Sequence, residues 1–393
     1  MVKYWWIAAI VVLVGAACAW GEKARRPLNV KSAPPLPVAA TEPAALATAI
    51  GRGIDFLTQD QNRDGSWGTA ERTKDLNIYA PVPEAHRGYR AAVTALCVLS
   101  LLETGDRSPA ALSAIERGET WLLENLPKVR RSSPDVIYNI WAHGYGIAAL
   151  VKMHQSHSDD AVRQRRVREV IVQQIEMLVR YEAVDGGWGY YDFKFQTAQP
   201  AAMTTSFMSA TVLIALREAQ RIGIEVPRLR VDRALASIRR QQKPDLSYLY
   251  GEYLHSKPLH PVNQPAGSLG RTQACNAALR VWGDERITDE VLSKCLDRLF
   301  ARNLWLDLGR KRPIPHESYF AVAGYFYYYG HYYAALCIEQ LPPEQRKSHQ
   351  DQLAWRLLRL QEKDGSWWDY PLYNYHQQYG TAFALMSLVR CRQ

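Results

Sequence analysis

The chain has 393 residues, 47% of them hydrophobic and 22% charged, enough apolar content for a large core and too much for a disordered chain. Its 48 Lys and Arg against 39 Asp and Glu leave a net charge of +9, but no basic run exceeds three residues, which argues against dedicated nucleic-acid binding. Aromatic residues make up 11% of the sequence, and eleven of the 22 tyrosines crowd between Tyr319 and Tyr379.

Residues 1–19 read as an export segment: Lys3, an apolar run from Tyr4 to Ala17, then Ala17-Cys18-Ala19 with cleavage expected before Trp20. An uncleaved N-terminal anchor and a lipidated Cys18 are the alternatives, the second weakened by Gly15 where a bulky aliphatic residue is expected. Each version puts the body outside the cytoplasm, periplasmic or secreted, and two of them tie it to a membrane. Residues 20–43 form a Pro/Ala-rich linker, with five prolines from Pro27 to Pro43. Residues 44–393 carry helical patterns and no sustained strand alternation, so the class is all-α. The most apolar helices are expected at 91–102, 144–153, 204–219, 272–282, 319–338 and 381–389. Cys97, Cys337 and Cys391 fall in these patterns and read as buried hydrophobes, and the cysteine spacing does not describe a disulfide scaffold.

Self-similarity is the strongest signal. Gln61-Asn-Arg-Asp64-Gly65-Ser66-Trp67 returns 300 residues later as Gln361-Glu-Lys-Asp364-Gly365-Ser366-Trp367. Between them lie Asp185-Gly186-Gly187-Trp188 and Gln242-Lys-Pro-Asp245-Leu246-Ser247-Tyr248, the two rings 60 residues apart. A period near 60 gives six repeats, with degenerate copies near Leu126 and Trp305. Each unit reads as a helix, the Trp loop and a more apolar second helix. Two concentric rings of about six helices would bury the second set inside and close on themselves. In the loop, Gln is expected to bond backbone at a neighbouring helix, Asp to cap the next helix, and Gly to supply a left-handed turn. Gln61, Gly65, Trp67, Gly187, Trp188, Gln242, Tyr248, Gln361, Gly365 and Trp367 are thus structural staples.

This pattern resembles the squalene cyclase and protein prenyltransferase superfamily, α/α toroids whose repeats carry a Gln-to-Gly-x-Trp motif. The resemblance covers residues 44 to 393 and implies a central cavity that in relatives accepts an isoprenoid chain. The Asp-x-Asp-Asp acid of squalene–hopene cyclases is absent; the sole adjacent pair, Asp159-Asp160, lies in a polar stretch and reads as a loop or helix start. The zinc site of the prenyltransferases is incomplete: Gln273-Ala-Cys275 has Gln for Asp, leaving Cys275 and His376 as weak metal candidates. No cofactor is therefore expected, with zinc the one to consider. Polysaccharide lyases also use α/α toroids, and Arg271, His316 and Glu317 suit a base beside a cation.

Inner helices of a toroid start at one end, so His143, Arg271, His316, Glu317, Tyr375 and His376 are expected to converge on one opening. Tyr325, Tyr329 and Tyr332 share a helical face and, with Trp141, Tyr145, Arg271, Tyr375 and Tyr379, are the expected cavity lining. The favoured function is binding of an apolar or isoprenoid-like small molecule without cyclisation. The alternatives are an enzyme acting on polysaccharide or lipid-linked sugar, with His316, Glu317 or His143 as acid and base, and a protein-binding scaffold.

Overall fold

Prolines open four helices and set their φ where the missing N–H costs nothing: α1 (Pro43–Gln59), α3 (Pro109–Asn125) and α12 (Pro343–Leu358) in the outer ring begin on Pro, as does the inner α2 (Pro83–Thr104). Side-chain caps start others. Asp160 accepts from Arg163 N at 2.9 Å to begin α5 (Ala161–Arg180), and Thr288 accepts from Val291 N at 3.3 Å to begin α9 (Asp289–Ala301). Asp160 is therefore a helix cap, and Asp159 beside it is exposed. The remaining helices are α4 (Asn139–Ser156), α6 (Ser206–Arg221), α7 (Arg228–Gln241), α8 (Leu269–Val281), the short α10 (Leu304–Gly309), α11 (Phe326–Glu339) and α13 (His376–Val389).

The computed structural model describes residues 34–73, 82–193, 200, 203–316 and 319–392, all within the unit Ser32–Gln393. The expected export segment and Glu317 lie outside the described residues. Among the described residues there are thirteen α-helices and no strands, and no helix is long and apolar enough to cross a membrane.

Six helices make an inner ring. In order α2, α4, α6, α8, α11 and α13, each packs on the next, and α13 packs back on α2. They are buried on nearly all sides, the pattern of helices enclosed by others. The outer helices bury one stripe against them. The first and last repeats join through Thr69 N to Asn374 O and Asn374 N to Glu71 O, both 2.9 Å, and through Arg52 to Glu362 O at 2.7 Å. The architecture is an α/α toroid of six hairpins.

The tryptophan loops bind the rings together. The indole N–H groups of Trp67, Trp188 and Trp367 donate to the carbonyls of Leu57, Leu178 and Leu357, each at 2.8 Å, and their backbone N–H groups donate to hydroxyls of Thr94, Ser209 and Thr381 on the following inner helix. Tyr248 N bonds Ser268 Oγ in the same way. Gln61 reaches across to Ala114 O and Gln361 to Ala49 O, each on the next outer helix. One expectation is corrected. Asp64, Asp245 and Asp364 accept from the Ser two residues on and close the loop itself instead of capping a helix. In the third loop Gly187 is left-handed as expected, at φ +82°, and stands at the serine position, with Gly186 before it at φ +92° like Gly365. A second correction concerns the helix expected from Tyr319. It begins at Phe326, because His316 and Ala321 turn into the left-handed region and Tyr319 is left exposed.

Candidate functional site: an aromatic central cavity

A cavity of about 630 Å³ lies inside the inner ring, within the range of small-molecule sites. Helix α4 contributes Trp141 and Tyr145 one turn apart, their rings stacked at 5.8 Å. Phe207 from α6, Phe326 and Tyr329 from α11, and Tyr379 and Phe383 from α13 continue the wall. The loops leading into the inner helices add Tyr138, Tyr190, Tyr250, Tyr325 and Tyr370. Phe193 and Tyr253 line it and are 45% and 40% exposed, which marks the rim. Apolar atoms dominate the surface. Among the described wall residues none is Asp, Glu, Lys or Arg; the polar side-chain groups are phenols, the Trp141 indole N–H, His316 and His260.

His316 is the best-placed titratable group. Its Nδ1 is 2.5 Å from Ala321 O and its Nε2 3.0 Å from the Tyr325 hydroxyl, and burial lowers its pKa from the ordinary histidine value. Of the expected lining residues, the structure places Trp141, Tyr145, Tyr325, Tyr329 and Tyr379 in the wall together with His316.

Several expected site residues stand elsewhere, each for a visible reason. Arg271 is buried behind Tyr250 with its guanidinium committed to the carbonyls of Tyr248, Gly267 and Val262. It braces a loop and has no free fork for a uronate; burial lowers it to about 10. Tyr332 packs on Phe383 and under the Arg390 guanidinium, outside the wall. Tyr375 is held against Gly68, where a Cβ would meet its ring at 2.3 Å, and its hydroxyl faces His86. His376 bonds Tyr373 O at 2.7 Å beside Trp368. Cys275 is fully buried and pushed up to about 12 by burial, and the neighbouring Gln273 donates to Cys295 O. Among the described residues no group of three His, Cys, Asp or Glu is placed to hold a metal ion.

His143 also lies outside the wall. Its Nδ1 meets Gln174 Oε1 at 2.7 Å, its ring stacks on Tyr181, and burial lowers it to about 4. Gln174 stands eight residues before Glu182, as Gly53 stands eight before Gln61 and Gly118 eight before Leu126, and those two glycines face the indoles of Trp367 and Trp67. His143 thus fills a slot that a missing tryptophan leaves in the second repeat.

Sequence reading missed Tyr89, Tyr138, Tyr190, Tyr191, Phe207, Tyr250 and Tyr253. A signal for two of them was present: Tyr190 and Tyr250 each follow the staple ring by two residues. Asp369 was also missed. It sits behind the wall, accepting from Tyr379 OH at 2.6 Å and from Tyr328 N at 3.1 Å in the first turn of α11, and burial raises it to about 7. Both oxygens are occupied, so it anchors a wall residue and caps a helix.

No protein-family model matches the chain. A probable squalene–hopene cyclase of Sinorhizobium fredii is 27% identical over 186 residues, 44% of this chain and 27% of that protein, so the match spans about a quarter of the relative's length. Among solved structures, cellobiose 2-epimerase from Spirochaeta thermophila superposes with TM-score 0.59 at 14% identity, covering 89% of this chain and 96% of that one. The GH76A alpha-1,6-mannanase of a Salegentibacter species gives TM-score 0.52 at 10% identity over 88% and 98%. The structural likenesses show the fold, an α/α toroid, and the tryptophan loops and the partial sequence match are what the chain has in common with squalene cyclases. At such identities the structural neighbours speak for fold alone.

Proposed function

We propose that the protein holds an apolar, isoprenoid-like small molecule in its central cavity and does not cyclise it. The observation that carries this reading is the wall itself: aromatic rings interleaved with aliphatic side chains, with no carboxylate or cation among its described residues. Glycoside hydrolysis uses a pair of carboxylates flanking the bond, and alkene protonation needs a carboxylic acid facing the substrate. Asp369, a carboxyl behind the wall residue Tyr379, has both oxygens bonded inside the protein. Leu259, Ile314 and Tyr319 are exposed next to wall residues His260, Pro315 and Ala321, and would suit uptake of an apolar molecule from a lipid surface.

The test is organic extraction of the purified chain followed by mass spectrometry, with Leu96→Trp in parallel. Leu96 lines the cavity, and an indole there fills part of it. A stoichiometric apolar molecule in the parent, reduced at least about tenfold in the variant, is the expected result. An empty parent that also takes up no added isoprenoid would overturn the reading.

A further inference from the structure

We propose that the ligand carries an acceptor oxygen of the ketone or ether type, and that Trp141 donates its indole N–H to that oxygen inside the cavity. The inference rests on the lipid-cavity reading and adds a polar group of the molecule and the residue that selects it.

An indole N–H can only donate. Elsewhere in the toroid that bond is made to the backbone: Trp67, Trp188, Trp282 and Trp367 each reach a carbonyl at 2.8 Å. Trp141 does not. It lines the cavity from the first turn of α4, and among the described residues no oxygen accepts from its nitrogen. Its ring is held by other rings: Tyr145 stacks on it at 5.8 Å and Phe207 at 6.2 Å, and Tyr329 stands edge-on at 6.4 Å. The phenols beside it are engaged elsewhere, Tyr190 with Tyr250, and Tyr329 with Phe207 O and Thr211. The indole nitrogen is not sealed inside the protein, so what fills the cavity decides whether it is paired.

The other nitrogen groups of the wall support the same chemistry. His316 is satisfied within the protein, with Nδ1 against Ala321 O and Nε2 3.0 Å from the Tyr325 hydroxyl. His260 accepts from Val262 N at 3.2 Å through Nδ1, so its proton sits on Nε2. That Nε2–H has no partner among the described residues, and His260 is exposed. Both unpaired nitrogens are thus donors. Water serves the exposed one, whereas the one inside the cavity needs an acceptor from the ligand. A hydrocarbon leaves the indole N–H unpaired in an apolar site, which is costly. A ketone or ether oxygen pairs it and brings no proton that needs a further acceptor. An anion has no counterpart: no Lys or Arg lines the described wall, and Arg271 behind Tyr250 has given its N–H groups to the carbonyls of Tyr248, Gly267 and Val262.

The experiment is competitive uptake by the full chain from one dodecane layer holding equal amounts of phytone and pristane, with the bound molecules extracted and counted by mass spectrometry. The two share one branched chain, and a methyl group in pristane replaces the ketone oxygen of phytone. Dodecane offers neither a hydrogen bond and competes equally with both, so their ratio reads the wall. Bound phytone is expected to exceed bound pristane by at least about tenfold. Trp141→Phe keeps a ring in the wall and removes the N–H. The ratio should then fall to about twofold, while pristane uptake stays within about threefold of the parent. A circular-dichroism melt checks that the variant folds, and the parent ratio stands as a test on its own if it does not. Equal uptake of the two by the parent, or a ratio that survives in a folded Trp141→Phe, overturns the inference and leaves the apolar cavity standing. Uptake of neither removes the lipid-cavity reading and this inference with it.

Discussion

The first and sixth repeats hold their outer and inner rings together with an indole, whereas the second and fifth have lost the Gly-Ser-Trp segment and keep the same place in the toroid. Counting six residues from the Gln position of the motif, the second repeat has Ser132 and the fifth Gly309 where the others have Trp67, Trp188, Tyr248 and Trp367. The second repeat fills the gap from the inner ring with His143 on Gln174 and Tyr181. In the fifth, Tyr327 and His331 stack at 4.4 Å and Asn303, at the Gln position, bonds the Tyr327 hydroxyl. The slot is thus a property of the toroid and the tryptophan one way to occupy it. A buried indole brings a large apolar area and one satisfied N–H. A buried histidine brings less area and a group that must stay neutral.

The largest expected effect breaks that comparison at its apolar end. Trp367 is fully buried, bonded through both its nitrogens and pressed against Gly53. Trp367→Ala should cost about 3–5 kcal/mol in denaturant unfolding, as large-to-alanine core substitutions do. His143→Ala, which leaves Gln174 without its partner, should cost about 2 kcal/mol. Equal costs would mean that the two fillers are equivalent and that the loops are not the stronger staples.

The next effect sharpens the comparison through pH. His143 and His331 are both held near 4 by burial, below the 6.5 of an exposed histidine. Between those values the unfolded chain binds protons that the folded chain does not, so their contribution is whole above pH 6.5 and fades as pH falls toward 4. Asp369 works in the opposite sense: its pKa is raised to about 7, so the folded chain binds the proton first and is favoured as pH falls from 7. His143→Gln keeps a partner for Gln174 and removes one titrating group. Between pH 7.5 and 5 it should lose about 2 kcal/mol less than the parent, measured from urea midpoints. An unchanged pH slope would show that His143 is not held neutral by its slot.

The toroid was legible because its repeat is written in residues that act locally. A Gln, a left-handed Gly and an indole recur at fixed spacing, each bonding within its own loop or to the next helix. The wall was half legible. Trp141, Tyr145 and Tyr329 lie on helices whose inward face periodicity reveals, and the structure puts them in the cavity. Tyr190 and Tyr250 come from irregular loop segments, where helical periodicity gives no direction and only their place two residues after the staple ring marks them, whereas Tyr325 was expected in the wall and lies there although it precedes α11. The expected convergence of His143, Arg271, Tyr375 and His376 failed for a shared reason. Sharing one end of a ring does not decide whether a side chain points to the lumen or back into the wall, and these four satisfy their polar atoms within the wall.

The smallest effect concerns the fourth loop, which lies between the two kinds of repeat. It keeps the ring as Tyr248 and the Asp-x-Ser closure, but Leu246 stands where Gly65, Gly186 and Gly365 stand elsewhere, and it adopts the same left-handed backbone at φ +64°. A Cβ in that region costs about 1–2 kcal/mol, and a glycine returns part of the gain through the greater freedom of the unfolded chain. Leu246 is only half-buried, so its side chain has modest packing to lose. Leu246→Gly should therefore raise stability by about 0.5–1 kcal/mol, read as a higher urea midpoint with an unchanged slope. The reverse change elsewhere is not its mirror image: at Gly365 a Cβ would meet Arg52 O at 2.4 Å, so Gly365→Leu adds a steric clash to the strain. If Leu246→Gly destabilises instead, the leucine side chain holds the fourth loop by packing, and that loop belongs with the second and fifth repeats as a slot filled by other means.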